Sequence, residues 1–119
     1  MNRAAAIRVL IVEDEPLVAM LAEDMLDSIG CVVAGIAASA AEARAAIDAM
    51  GFDVVMLDIN LDGEDGLAIA NILKASGIPF VITSGYAAEG LAQGHPDAPV
   101  LSKPYAIAAL EAAISGCVR

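Results

Sequence analysis

The stretch Val54-Val-Met-Leu-Asp-Ile-Asn-Leu-Asp-Gly63 decides the fold. Four apolar residues stop at an acid, Asp58, and a polar turn follows. The same event recurs along the chain: Ile7-Arg-Val-Leu-Ile-Val12 runs into Glu13-Asp14, Val81-Ile-Thr-Ser84 ends on a hydroxyl, and Val100-Leu-Ser102 runs into Lys103. If these runs are parallel strands, their carboxyl ends lie along one edge of a sheet, where open α/β folds bind ligands. The segment from Asp58 to Gly63 also matches the opening of a calcium-binding EF-hand loop. That reading fails, because the closing glutamate would fall at Ile69 and the residues before Asp58 form a strand-like run instead of an amphipathic helix.

Apolar runs at 7–12, 32–36, 53–57, 79–83 and 99–101 alternate with stretches of helical spacing, the pattern of a parallel sheet covered on both faces. The expected fold is therefore α/β, built from five βα units. Pro16 opens a first helix, with Leu17, Met20, Leu21, Leu26 and Ile29 at three- and four-residue steps and Gly30 at its close. Ser39 caps a second helix through Ala49, Glu42 completes a capping box, and Gly51 follows its end. A third is expected from about Glu64 to Ser76, stopped by Gly77 and Pro79, and a last from Pro104 to about Ser115. The fourth unit departs from the pattern: 87–98 holds Gly90, Gly94 and Pro96 and has little apolar periodicity, which suits a short or frayed helix.

With 119 residues the expectation is one domain over 1–119, with no output domain of its own. Sixteen acidic against six basic residues give a formal charge of −10, which argues against a nucleic-acid surface. Much of the apolar content is alanine, and no run is long enough to insert in a membrane. The N-terminus flows straight into a strand without an apolar leader, so the expected location is cytoplasmic. Cys31 and Cys117 lack metal-ligand spacing and read as ordinary thiols.

Oxygen-rich sites suit Mg²⁺ (or Mn²⁺), so Asp14 and Asp58 are the expected direct ligands, Glu13 acts through water, and the Asn60 main-chain carbonyl completes the set. Without a cation the three carboxylates repel and at least one pKa rises. Asp58, placed between the acid pair and Lys103, can attack phosphorus and become an acyl phosphate. Lys103 and the cation would neutralise the phosphoryl oxygens, and Ser84 would hydrogen-bond one of them. Thr83 should point away from Ser84 because strand side chains alternate. Taken singly, each residue is ordinary: a Glu-Asp pair after a strand is usually solvated, and most surface lysines are too. Their order at the ends of strands one, three, four and five is what selects this chemistry. His95 has no second ligand nearby in sequence and receives no role, and Tyr86 and Tyr105 suit either a partner-facing surface or half-buried packing.

These motifs, Val9-Leu-Ile-Val-Glu-Asp-Glu-Pro16, Asp58-Ile-Asn-Leu-Asp-Gly-Glu-Asp-Gly66, Pro79-Phe-Val-Ile-Thr-Ser-Gly85 and Lys103-Pro-Tyr105, resemble the receiver domain of two-component response regulators over essentially the whole chain. The resemblance implies a doubly wound, flavodoxin-like sheet of order 2-1-3-4-5 with helices on both faces. It makes Asp58 the phosphoacceptor, Glu13 and Asp14 the acidic pocket, Ser84 the switch hydroxyl and Lys103 the phosphate-binding lysine. Asp58-Ile-Asn-Leu, Gly63-Glu64 and Ser84-Gly85-Tyr86 are similar to the FAT GUY subgroup of stand-alone receivers. Asp62 replaces a common proline and Ser84 a common threonine, both chemically tolerable; Val100 stands in place of a common aromatic and 84–103 is a few residues short, so the family's usual output surface around the fourth helix does not carry over by resemblance.

The implied function is that of a single-domain response regulator in a phosphorelay. It takes phosphoryl from a sensor histidine kinase or histidine phosphotransfer protein, then acts by phosphorylation-dependent binding of a downstream protein or as a phosphate shuttle or sink. It turns over no external substrate, and monomer and phosphorylation-dependent dimer both stay open. A haloacid-dehalogenase-like aspartyl phosphatase uses similar groups but in another order, with the nucleophile first and the acid pair last. A receiver-fold binding module that has lost phosphorylation would not need all five side chains.

Overall fold

A computed structural model describes residues 7–61, 64–84 and 99–117. Its main sheet holds β1 (Arg8–Val12), β2 (Val32–Ala37), β3 (Val54–Asp58), β6 (Phe80–Ser84) and β7 (Val100–Ser102). The order is β2-β1-β3-β6-β7 and every pairing is parallel, so these five strands follow the expected 2-1-3-4-5. Between β3 and β6 lies a two-stranded antiparallel ribbon, β4 (Asn60–Leu61) with β5 (Glu64–Asp65), which apolar spacing did not announce.

Alternation along the strands divides the core in two. Leu10, Val12, Val55, Leu57 and Ile82 face one cluster, which Ala40, Ala43 and Ile47 of α2 (Ala40–Ala49) and Ile69, Ala70 and Leu73 of α3 (Gly66–Ala75) cover. Val9, Ile11, Val54, Met56 and Val81 face the other, which is covered by Ala22 and Leu26 of α1 (Pro16–Ser28) and Leu110 and Ile114 of α4 (Ile107–Cys117). A strand buried on both faces must be apolar along its length, and β3 is so from Val54 to Leu57, before it ends on the buried acid Asp58.

Helix ends follow their local chemistry. Gly30 takes φ +86°, its N–H bonds Asp27 O, and Cys31 N bonds Leu26 O, the paired bonds of a Schellman stop. Gly77 at φ +70° repeats this after α3, with Gly77 N on Lys74 O and Ile78 N on Leu73 O. At the start of α2, Ser39 Oγ accepts from Glu42 N at 3.1 Å, while the Glu42 carboxylate accepts from Ala38 N at 2.9 Å. The expected capping box is therefore displaced by one residue on its return bond.

Two helix starts need correction, and periodicity alone does not name the inner face of α1. α1 buries Ala19, Ala22 and Leu26, while Leu17, Met20 and Leu21 are 74%, 57% and 63% exposed. Leu17, Met20 and Leu21 thus mark the helix period but not its inner face, which Leu26 shares with the small Ala19 and Ala22. α3 starts at Gly66, because 64–65 form β5, and α4 starts at Ile107, three residues after Pro104. The 87–98 unit, Tyr86 and His95 lie outside the described residues.

Candidate phosphoryl and metal site

The parallel register sets the ends of four strands level. Val12 pairs with Leu57, Asp58 with Thr83, and Ser84 with Ser102. Glu13 follows β1, Asp58 ends β3, Ser84 ends β6, and Lys103 follows β7, so residues 90 positions apart meet. Main-chain bonds tie these ends together: Glu13 N to Ala37 O at 3.0 Å, Ile59 N to Thr83 O at 3.1 Å, and Lys103 N to Ser84 O at 2.7 Å.

Lys103 Nζ lies 2.7 Å from Glu13 Oε1 and 3.1 Å from Asp58 Oδ2, and bridges the two. Both carboxylates are nearly buried, at 5% and 3% exposure, while Asp14 is half-buried. Asp58 Oδ1 accepts from Asn60 N at 2.9 Å. Both oxygens of the expected phosphoacceptor are therefore held, one by an ammonium and one by a main-chain amide. Beyond them, Asn60 Nδ2 donates to Ser84 Oγ at 3.1 Å. Ser84 is fully buried, and it, rather than the neighbouring Thr83, makes this bond. Along β6, Val81 faces the α1/α4 cluster and Ile82 the α2/α3 cluster, which places Thr83 and Ser84 on opposite sides.

Burial pushes the Glu13 carboxyl up to about 7; Lys103 draws it down, and the hydrogen bond and charge of Asp58 push it up again. Burial alone would lower the Lys103 ammonium, but the bond to Glu13 and the charge of Asp58 outweigh that and raise it. The lysine is thus held as a cation by two acids. Tyr105 is half-buried against the α1/α4 core, and burial pushes its phenol up to about 12. That settles its placement in favour of packing.

Glu13, Asp14 and Asp58 each offer a carboxylate oxygen, all within 4.8 Å of one another. Hard oxygen donors so closely grouped, with the Glu13 carboxyl driven toward protonation, suit a hard divalent cation, whose charge would favour the ionised form of Glu13. The structure thus brings together Glu13, Asp14, Asp58, Asn60, Ser84 and Lys103. The residue undervalued in the sequence is Asn60: a main-chain carbonyl was expected of it, yet its N–H and side-chain amide make the contacts to Asp58 and Ser84.

Residues 9–115 match the response regulator receiver domain family. The phyllosphere-induced regulator PhyR of Methylorubrum extorquens is 34% identical over 114 residues, covering 92% of this chain and 43% of PhyR. The transcriptional regulatory protein PdtaR of Mycobacterium tuberculosis is 31% identical over 90% of this chain and 54% of its own length. The chain therefore spans about half the length of these curated relatives. The solution structure of SdrG from Sphingomonas melonis superposes with a TM-score of 0.82 at 35% identity and covers 98% of both chains; SdrG in its BeF3-activated conformation gives 0.79. Among the described residues, no helix is long and apolar enough to cross a membrane.

Proposed function

Because the chain belongs to the response regulator receiver domain family, we propose that Asp58 accepts a phosphoryl group from a phosphohistidine on a sensor histidine kinase or histidine phosphotransfer protein. The observation that carries this is the near-buried Asp58 carboxylate, held between Lys103 Nζ at 3.1 Å and the Glu13-Asp14 pair. A carboxylate oxygen attacks phosphorus as the P–N bond to imidazole breaks, and the imidazole keeps the electron pair and takes up a proton. Lys103 then exchanges a carboxylate for a phosphoryl oxygen, and Ser84 donates to another. Water later attacks phosphorus, the O–P bond to Asp58 breaks, and phosphate leaves.

Asp14 and Asp58 would hold Mg²⁺ (or Mn²⁺) directly, Glu13 through water, with the Asn60 main-chain carbonyl completing the shell. When bound, the ion would supply further positive charge to offset that of the phosphoryl group. SdrG, to which this chain is 35% identical, takes up an activated conformation with BeF3, a phosphoryl mimic; this supports phosphorylation here. The protein then works in the cytoplasm, turns over no external substrate, and acts by binding a downstream protein or by draining phosphoryl groups. Incubation with acetyl phosphate and Mg²⁺ should label the wild type, and Asp58→Asn should not be labelled. Equal labelling of the two would refute the assignment.

A further inference from the structure

We infer that the Asn60 side chain is a positioning residue that orients the Ser84 hydroxyl toward a phosphoryl group on Asp58, an inference that rests on Asp58 being the phosphoacceptor. The Asn60 amide Nδ2–H donates to Ser84 Oγ at 3.1 Å. An amide nitrogen can only donate, so the hydroxyl is the acceptor in this bond and its own proton points away from Asn60. Phosphoryl oxygens only accept. A hydroxyl that already accepts from Asn60 is thus prepared to donate to one, in a chain running from amide to hydroxyl to phosphoryl oxygen whose members strengthen each other.

The placement is built into the backbone. Asn60 and Leu61 form β4, and Leu61 is buried in the α2/α3 core, so alternation turns Asn60 the opposite way. Pairing of Asn60 with Asp65 and of Leu61 with Glu64 holds that orientation. The Asn60 N–H fixes Asp58 Oδ1 at 2.9 Å, so one residue sets both the nucleophile and the hydroxyl. Asn60 is itself exposed, so its truncation removes the donor without opening the core.

The test is a double-mutant cycle on the rate of acetyl-phosphate labelling with Mg²⁺, where the O–P bond to Asp58 forms and acetate leaves with the electron pair of the broken bond. Asn60→Ala should slow labelling about fivefold, the worth of one neutral hydrogen bond. In the Ser84→Ala background the same substitution should change the rate less than about twofold, since its partner is gone. A second readout uses the intact protein: the Asn60 side-chain amide proton resonances should keep a hydrogen-bonded shift when BeF3⁻ is added. Equal slowing in both backgrounds, no slowing in either, or collapse of that shift to the free-amide value would overturn the inference while leaving Asp58 in its role. If the wild type neither labels nor binds BeF3⁻, the phosphoacceptor reading of Asp58 fails and takes this inference with it.

Discussion

Gly66 stands where the ribbon after Asp58 becomes helix α3, and replacing it with alanine should damage both stability and labelling. A Cβ there would lie 2.6 Å from Ile59 O, 2.7 Å from Ile59 Cα and 2.8 Å from Asp58 O. All three are backbone atoms, so no flexible side chain can give way. The strand end must retreat by about 0.8 Å before these contacts become ordinary, a shift in the range where overpacking costs about 1–3 kcal/mol. Gly66 N also bonds Ile59 O at 3.2 Å, and that bond would lengthen as the chains separate. Because the displaced segment carries Asp58, a misplacement approaching 1 Å should slow labelling by roughly 10- to 100-fold. Urea unfolding and the acetyl-phosphate labelling rate measure the two effects separately. Gly116→Ala is the control: Gly116 lies in α4 with nothing within 4 Å of the added carbon, so the helical preference for alanine should raise stability by up to about 1 kcal/mol. If Gly66→Ala unfolds within about 0.5 kcal/mol of wild type and labels at the wild-type rate, the argument from close approach is wrong.

The Glu13 carboxyl, with its pKa raised from 4.5 to about 7, makes the folded protein bind more protons than the unfolded chain between those values. Stability of the metal-free protein should therefore fall as pH rises through that window, by on the order of 2 kcal/mol after solvent screening. Urea midpoints at pH 5 and 7.5 in EDTA should show the fall, and Glu13→Gln or saturating Mg²⁺ should flatten it; an unchanged slope in Glu13→Gln would contradict the cause. Leu26 is fully buried in α1 and Leu21 is 63% exposed, so Leu26→Ala should cost about 3 kcal/mol and Leu21→Ala under about 0.5 kcal/mol by thermal unfolding. The reverse ranking would mean α1 is rotated. Met50 closes α2 at φ +60°, ψ −162°, a conformation nearly reserved for glycine, with its side chain 53% exposed. Met50→Gly should stabilise by about 0.5–1 kcal/mol, the strain relieved exceeding the chain entropy lost, and a lower melting temperature would count against this.

The strands were legible because double burial leaves no choice of residue. Val54, Val55, Met56 and Leu57 are all inaccessible or nearly so, and only uninterrupted apolar sequence can satisfy that. The helices were legible in position but less so in orientation. Periodicity in α1 weights leucine and methionine, whereas its inner face joins Leu26 to the small Ala19 and Ala22. A two-residue strand carries no period, so the ribbon of Asn60–Leu61 with Glu64–Asp65 left no trace except the loss of helix before Gly66. There Gly66 itself was the available signal, since a residue lacking Cβ just after a strand end marks a backbone passing close by.

The site was legible because its chemistry resides in strand ends, and strand ends can be located without knowing how side chains turn. Glu13, Asp58, Ser84 and Lys103 each follow or finish an apolar run, and parallel register alone suffices to level them. What register cannot supply is the choice of hydrogen-bond partner among groups already brought together. Lys103 has two carboxylates within reach and bonds both, which makes it the neutralising charge of the metal-free site as well as the expected ligand of phosphate. Asn60 has a carbonyl, an N–H and an amide to offer, and which of them faces the site depends on Leu61 seeking the core one residue later. An apolar neighbour thus sets the polar contact, and a search restricted to charged and hydroxyl side chains passes over Asn60 for that reason.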